Sequence, residues 1–289
     1  MLVPRYIHGR DSDEVLQAER AGAGHVLLVG PRGTGKTTIA RKAFPPEDIL
    51  FMQVTGALYP ESLTVTHLPS EKGFSSVKGI LLRAVLYGKV LILDEINAAS
   101  EDALTPLREA MSGATDRSVT IENCHPEMID ELRTEMETRD LSSRLETVET
   151  TVTVHAAPGF MVIGCLNENV FGKRATGLAA PLRDRFSLRV HVHLNRELVV
   201  GSGVNTVGVG LWAWGQRNPE TWQPSLRELL NFTRHYETVG AEFAASNLLG
   251  RIPAEARPLA GAELAKLTGI AENDVCRLEI DDGPDSKAA

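Results

Sequence analysis

The sequence predicts a mainly parallel α/β sheet with helices on both faces, followed by a small helical lid. Strand-like apolar runs recur along the first 195 residues, and helical patterns lie between several of them. The runs are almost continuously apolar, which is typical of strands buried on both faces. They occupy residues 25–30, 48–54, 89–95, 159–167 and 188–194.

Helices are predicted beside these strands. Segment 11–22 indicates a capped helix, because Asp11 or Ser12 stands at its start and acidic residues occupy its first turn. Three further helical patterns follow the first strand, precede the third and follow the third: "TTIARKAF", "SVKGILLRAVLYG" and "EDALTPLREAMSG". This alternation favours parallel strands, since parallel neighbours need crossover connections.

A charged insert, about residues 125–149, separates the two strand-like stretches "DRSVTIEN" and "ETTVTVHAAPG". Its apolar residues recur at helical spacing: Met128, Leu132, Met136, Leu141, Leu145 and Val148. Opposite charges stand four residues apart, in the pairs Glu135 with Arg139 and Asp140 with Arg144. We interpret the insert as a helical spike between two strands. The pattern leaves open whether it packs on the body or is a working element.

The chain is predicted to have three parts. Residues 1–195 form the core. Glycines accumulate at 201–210 and helical spacings follow, so residues 196–250 are predicted to be the lid. Prolines and acidic residues then become frequent, which indicates an extension at 251–289 with a disordered tail.

Composition narrows the classes of function. The 289 residues are 43% hydrophobic, enough for a substantial core, and carry a net charge of -8. Such a charge repels phosphate backbones and anionic membranes, so we expect no nucleic acid partner, although it leaves room for a local basic groove, and we expect no insertion into a membrane. The three cysteines, Cys124, Cys165 and Cys276, lack metal-type or redox-type spacing. With no signal-peptide pattern and no apolar run of roughly 18 residues, we expect a cytoplasmic protein.

The stretch "HVLLVGPRGTGKTTIARKA" runs a buried strand into glycines, a lysine and two threonines. Gly30, Gly35, Lys36 and Thr37 satisfy the phosphate-binding spacing Gly-x4-Gly-Lys-Ser/Thr, between a strand and a helix. Glycines let backbone N–H groups converge on phosphate oxygens, and the helix N-terminus adds positive potential. The predicted nucleotide-binding residues are Gly30, Pro31, Arg32, Gly33, Thr34, Gly35, Lys36, Thr37 and Thr38.

The run "VLILDE" supplies acidic groups at the end of another buried strand. Mg²⁺ prefers oxygen ligands, so Thr37 and Asp94 are predicted to hold the ion while Glu95 polarises the attacking water. On its own, the acidic pair could simply mark a strand that reaches solvent. We expect Lys36 and Asp94 to meet around one magnesium nucleotide at the tips of adjoining strands.

Four segments occur in a fixed order along the chain: "LLVGPRGTGKT", "GILLRAVLYGKVLILDEINAASEDALTPLREAM", "VHAAPGFMVIGCLNEN" and "LAAPLRDRF". Together they resemble the dynein-related, MoxR-type branch of the AAA+ ATPases, over roughly residues 3–240. The "DEIN" and "RDRF" elements are more discriminating than the phosphate loop, which many other proteins share. The resemblance implies a P-loop NTPase core with Walker A and Walker B motifs, and ATP and Mg²⁺ as cofactors.

The resemblance also implies roles for polar residues beyond those motifs. Asn167 matches the sensor 1 asparagine, which would orient the attacking water near the γ-phosphate. Arg185 matches the arginine finger, which would complete a neighbouring subunit's site, and Arg183 is close enough to be its rival. Arg227 resembles sensor 2, which would contact phosphate from its own subunit.

Three features bear on how far the resemblance extends. Glu168 stands where the family often has proline, and Asn97 and Ala98 stand where it often has arginine. The first difference affects a turn, and the second a contact between subunits. The helical spike aligns with the insert that MoxR-type proteins carry in the second core helix, where it bears on substrates or partners.

The resemblance implies an ATP-hydrolysing motor that forms a ring, of six subunits by family analogy, and remodels a protein partner as a chaperone does. The sequence leaves a second function open, a nucleotide-dependent switch or adaptor with little turnover. A small-molecule kinase is disfavoured, because Glu95, Asn167 and Arg185 would position water rather than an acceptor hydroxyl. No Asn-Lys-x-Asp segment is present, which favours adenine over guanine. The sequence does not identify the client protein.

Overall fold

The computed structural model describes residues 5–6, 12–70, 73–112, 117–167 and 178–270. Glu168 and Cys276, considered above, lie outside these residues, as does the predicted disordered tail. The chain divides into two compact units at residues 192 and 193, which we call the core unit and the helical unit. The core unit contains, in chain order, β1 (Arg5–Tyr6), α1 (Ser12–Ala21), β2 (Val26–Gly30), α2 (Lys36–Lys42), β3 (Ile49–Gln53), α3 (Pro60–Leu63), β4 (Val65–Ser70), β5 (Gly73–Lys78), α4 (Ile80–Tyr87), β6 (Val90–Asp94), α5 (Thr105–Ala110), β7 (Ser118–Ile121), α6 (Pro126–Thr138), β8 (Arg144–Val148), β9 (Thr151–His155), β10 (Met161–Asn167), α7 (Ala180–Arg183) and β11 (Leu188–His191).

The central sheet of the core unit is parallel throughout, with strand order β1-β11-β2-β10-β6-β3. Alternate residues of its strands point into two separate hydrophobic cores. Leu27 and Val29 of β2 pack in one core with α4, whereas Val26 and Leu28 pack in the other with α1 and α2. Helices therefore cover both faces, which confirms the predicted fold class. The five apolar runs all form strands of this sheet.

One detail of the predicted topology is wrong. β2, which leads into the phosphate loop, and β6, which ends at Asp94, are not neighbours in the sheet. β10 lies between them and pairs with both. The sequence gives no signal for this order, because strand neighbours in a parallel sheet are set by crossovers that span many residues. The consequence is that Asn167, at the end of β10, stands between the two motifs.

Arg20, near the end of α1, hydrogen-bonds to the segments that precede three strands of the central sheet. Its guanidinium donates to the Gly159 carbonyl at 3.0 Å, the Gly88 carbonyl at 3.1 Å and Asp48 Oδ2 at 2.9 Å. These three acceptors precede β10, β6 and β3 respectively. The hydrogen bond from Arg20 also holds the pKa of Asp48 below its usual value. A single side chain thus joins α1 to three connections that lead into the sheet.

We expect Arg20→Ala to lower the free energy of unfolding by about 2–3 kcal/mol, because two carbonyls and a carboxylate lose a charged donor. Urea unfolding followed by circular dichroism measures this change. Arg83→Ala is the matched control, since Arg83 is exposed on α4 and no partner of its side chain is found within the described residues. Equal stability of the two variants would contradict the role of Arg20.

A hairpin that the sequence analysis did not predict precedes α4. β4 and β5 pair antiparallel, so Ser76, Val77 and Lys78 belong to a strand and not to the predicted helix. Gly79 separates the two elements, and a Cβ there would lie 2.4 Å from the backbone carbon of Leu63. The helix therefore begins only at Ile80.

The second half of the predicted helical spike is also a strand. α6 covers its first half, and the Glu135 and Arg139 pair forms there at 3.3 Å. Asp140 then adopts a φ of 48°, which is outside the helical region, and β8 follows. Arg144 contacts Glu146 at 3.1 Å instead of Asp140. The spacing of Leu141, Leu145 and Val148 fits a helix locally, but the pairing of β8 with β9 decides the structure.

The insert lies within a three-stranded antiparallel sheet of order β7-β9-β8. It follows α5 in the chain and interrupts no helix, so the expected alignment with an insert in the second core helix is wrong for this chain. α6 is fixed to the neighbouring hairpin, because Lys78 Nζ contacts Glu131 at 2.5 Å and Glu135 at 2.6 Å. Tyr87 of α4 donates to Glu135 at 2.6 Å as well.

The helical unit contains α8 (Arg196–Gly201), α9 (Thr206–Arg217), α10 (Leu226–Thr238), α11 (Ala241–Leu249) and α12 (Arg257–Thr268). It extends past residue 250, where the sequence analysis ended the lid. Ile252, Ala260 and Leu264 are buried in the same core as Leu229 and Phe232 of α10. Pro253 and the acidic residues around it made this segment look like an extension, although its apolar residues complete the core. Within the described ranges, no helix combines the length and the apolar character needed to span a bilayer.

Candidate functional site

The phosphate loop connects β2 to α2 through residues 31–35. Its two framing glycines are required by the backbone. A Cβ on Gly30 would lie 2.3 Å from the Val192 carbonyl oxygen, so no side chain fits there. Gly35 caps α2 with a φ of 87°, in the left-handed region that glycine adopts without strain. The glycines thus shape a tight turn that ends on the N-terminus of α2.

Lys36 is folded into this loop. Its side chain is buried, with 4% of the residue exposed, and Nζ donates to the Gly30 carbonyl at 2.9 Å and the Pro31 carbonyl at 2.7 Å. Thr34 adds a hydrogen bond to the same Pro31 carbonyl at 3.0 Å. A buried ammonium needs such acceptors. Its position inside the loop places the positive charge where phosphate oxygens would lie.

Thr37 and Asp94 join the two motifs. Thr37 Oγ1 donates to Asp94 Oδ2 at 2.8 Å, although β10 separates β2, which leads into the phosphate loop, from β6, which ends at Asp94. Cys165 of β10 is the residue in register with Asp94. Burial, and then the negative charge of Asp94, raise the pKa of the Cys165 thiol to about 12. The thiol is therefore a small neutral group beneath the site, and not a nucleophile.

Glu95 stands at the centre of a set of polar contacts. Its φ of 55° turns the chain sharply out of β6. Oε1 accepts from Asn167 Nδ2 at 3.2 Å and lies 3.4 Å from Arg32 Nη2. Oε2 accepts from Gln53 Nε2 at 3.4 Å. Of these four side chains, Gln53 ends β3, Glu95 follows β6, Asn167 ends β10 and Arg32 belongs to the phosphate loop.

These side chains fit a magnesium nucleotide. The Thr37 hydroxyl and the Asp94 carboxylate are hard oxygen ligands of the kind that Mg²⁺ prefers, and their oxygens already converge. Backbone N–H groups at the start of α2, together with Lys36, suit an anion. Ligands of open parallel sheets bind beyond the carboxyl ends of the strands, which is where all these residues lie.

Of the predicted loop residues, Thr37 contacts Asp94 and Arg32 contacts Glu95, which in turn contacts Asn167. Within the described part of the core unit, Arg183 and Arg185 are outside this set of contacts. Arg183 and Arg185 are exposed at and after the end of α7, and Arg183 Nε lies 3.9 Å from Asp184 Oδ1. Arg227 is exposed near the start of α10, in the helical unit. Their roles stay predictions.

Sequence reasoning missed two residues near the site. Gln53 is the polar residue that ends the apolar strand β3, just as Asp94 ends β6, and the two are in register. That shared pattern could have identified Gln53 from the sequence. Cys165 gave no such signal, because it lies inside an apolar run and only the sheet register places it beside Asp94.

The fold and the site define a P-loop nucleotide-binding protein. Residues 25–115 match the model of the AAA domain, dynein-related subfamily. The matched stretch contains the phosphate loop, Asp94 and Glu95, and it covers less than half of the chain.

Comparison with solved structures gives distant likenesses. A protein assigned as an ATPase from Cytophaga hutchinsonii has a TM-score of 0.44 and 17% identity, over 93% of this chain and 79% of that chain. A mutant of RuvB from Thermotoga maritima has a TM-score of 0.46 and 14% identity, over 93% of this chain and 73% of that chain. At these values neither likeness bears on the function of this chain. A search of curated proteins found no match.

Proposed function

We propose that this chain hydrolyses ATP in a Mg²⁺-dependent reaction, as a ring-forming AAA+ protein of the MoxR-type branch that remodels a protein partner. The hydrogen bond between Thr37 and Asp94 is the observation that carries the proposal, because it brings the phosphate loop and the acidic strand end to one place. Steady-state phosphate release from ATP, measured with Mg²⁺ and with excess EDTA, tests it. The absence of Mg²⁺-dependent phosphate release would contradict the hydrolytic function.

Each side chain has a separate task in this proposal. Lys36 binds the β- and γ-phosphates, and Thr37 and Asp94 hold Mg²⁺, which would neutralise phosphate charge when bound. Glu95 accepts a proton from the attacking water, and Asn167 orients that water. Asn167 already contacts Glu95 at 3.2 Å, so one small region could contain both groups and the water.

Ring formation rests on the resemblance and on the state of Arg185. Arg185 is exposed, and within the described ranges its guanidinium has no hydrogen-bond or ion-pair partner. An arginine in this state is available to another subunit, where it could stabilise transition-state charge. Arg183 is the rival, although its neighbour Asp184 offers it a weak local contact.

We expect Arg185→Ala to reduce kcat by about 10³ while nucleotide affinity changes little, since a finger acts mainly on the transition state. Arg183→Ala is the matched comparison and is expected to keep most of the activity. Turnover per subunit should also rise with protein concentration, as the ring assembles. Activity that is independent of concentration and survives Arg185→Ala would contradict the ring mechanism.

A second function, a nucleotide-dependent switch or adaptor with little turnover, is favoured by one observation. Both carboxylate oxygens of Glu95 have donors nearby, from Asn167, Arg32 and Gln53. In this arrangement Glu95 is not free to act on water. Nucleotide binding without steady-state phosphate release would support the switch over the motor.

A further inference from the structure

Arg32 occupies a variable position of the Gly-x4-Gly-Lys-Thr spacing, where phosphate binding requires no particular side chain. Its Nη2 nevertheless lies 3.4 Å from Glu95 Oε1, the oxygen that also accepts from Asn167. Gln53 donates to the other oxygen. Of these three donors, Arg32 is the cation, and it alone belongs to the phosphate loop.

The contact has a chemical consequence for Glu95. To act as a base, a carboxylate must bring an oxygen within about 2.6–3.2 Å of a water proton donor. Donors beside both oxygens compete with that water. A guanidinium competes more strongly than a neutral amide does, because hydrogen bonds between ions are stronger. Glu95 is thus restrained while Arg32 stays beside it.

Arg32 is also free to leave. Its side chain is 72% exposed, so no packing holds it, and its contact with Glu95 is long. Lys36 differs in both respects, since it is 4% exposed and bonded to two carbonyls of its own loop. Of the two cations, Arg32 is therefore the one that its present partner holds less tightly.

We propose that Arg32 is a positioning residue that restrains Glu95 until nucleotide binds. This inference rests on the proposed nucleotide site. A triphosphate on the loop offers Arg32 several anionic oxygens in place of one carboxylate, and a guanidinium is well matched to phosphate. Arg32 exchanges Glu95 for phosphate, so Glu95 loses the one charged group that competes with water, and the neutral amides of Asn167 and Gln53 remain beside it. The loop thereby couples its own occupancy to the release of the base.

A double-mutant cycle tests the exchange through binding alone. The Kd for a non-hydrolysable ATP analogue with Mg²⁺ is measured for the wild type, Glu95→Gln, Arg32→Ala and the double variant. Glu95→Gln removes the charge that competes for Arg32, so it should tighten binding by about two- to fivefold, the range expected for an exposed ion pair. In the Arg32→Ala background this gain should disappear.

Two further variants serve as controls for the double-mutant cycle. Arg83→Ala, an exposed arginine on α4, should leave the gain from Glu95→Gln intact. Arg32→Gln keeps polarity and most of the length without the charge, so it should abolish the gain as Arg32→Ala does. Thermal unfolding of each variant confirms that the proteins compared are folded.

An equal gain from Glu95→Gln with and without Arg32, or no gain at all, would overturn the inference. If the wild type binds and hydrolyses ATP but the cycle is additive, only the role of Arg32 fails. If the wild type binds no nucleotide, the proposed function fails and this inference fails with it.

Discussion

Lys36→Ala is expected to weaken nucleotide binding severely, with the Kd for Mg-ATP raised by about 10²–10⁴. The lysine would make two charge-assisted hydrogen bonds to phosphate oxygens, each worth about 1.5–3 kcal/mol. No other buried cation among the described residues lies in the loop to replace it. Isothermal titration calorimetry measures the change directly.

Lys42→Ala provides the control for Lys36→Ala. Lys42 lies in the last turn of the same helix, is exposed, and makes no side-chain contact within the described part of the chain. Its loss removes the same charge from the protein without touching the loop, so affinity should be unchanged. Comparable losses in both variants would indicate a general electrostatic effect and contradict the assigned role of Lys36.

Glu95→Gln is expected to keep nucleotide binding and to reduce the rate of hydrolysis by about 10² or more. Glutamine has the size of glutamate and can still contact Asn167, but it cannot accept the proton of the attacking water. Phosphate release measured at saturating ATP, beside a binding titration, separates the two effects. The variant would also retain the proposed protein partner in the presence of ATP.

Glu101→Gln is the control for this change, because Glu101 is an exposed carboxylate that follows Glu95 by six positions and lies outside the polar set. It should alter neither binding nor rate. Loss of binding in Glu95→Gln would instead show that Glu95 is structural, with its left-handed backbone and three donors serving to hold the loop and the strand ends together.

The strands of the central sheet could be predicted from the sequence because their burial on both faces leaves continuous apolar runs. The phosphate loop could be predicted because its function dictates both residue type and spacing. Gly30 and Gly35 meet backbone constraints that hardly any other residue satisfies, so they are visible without knowledge of the fold.

The features that escaped prediction depend on strand pairing, in one case between neighbouring segments and in the others between distant ones. β8 looked helical because Leu141, Leu145 and Val148 are spaced for a helix, while its structure is set by β9. The insertion of β10 between β2 and β6 and the contact of Gln53 with Glu95 likewise follow from sheet order. Local propensity cannot encode such partners.

The C-terminal end of the helical unit also could not be predicted from local sequence. Prolines and acidic residues beyond residue 250 resemble those of an extended tail, yet Ile252, Ala260 and Leu264 fill its core. The buried residues Ile252, Ala256, Ala260 and Leu264 do recur every four positions, but two of them are alanines and prolines stand among them, so the apolar pattern is weak. The burial of these residues places the stretch past residue 250 in the helical unit.

The most direct test of the account is a crystal structure with Mg²⁺ and a non-hydrolysable ATP analogue. We expect phosphate oxygens on Lys36 Nζ and the loop N–H groups, the metal ligated by Thr37 Oγ1 and held by Asp94, and Arg32 moved from Glu95 to phosphate. A nucleotide bound elsewhere, or a metal held without Thr37 and Asp94, would contradict it.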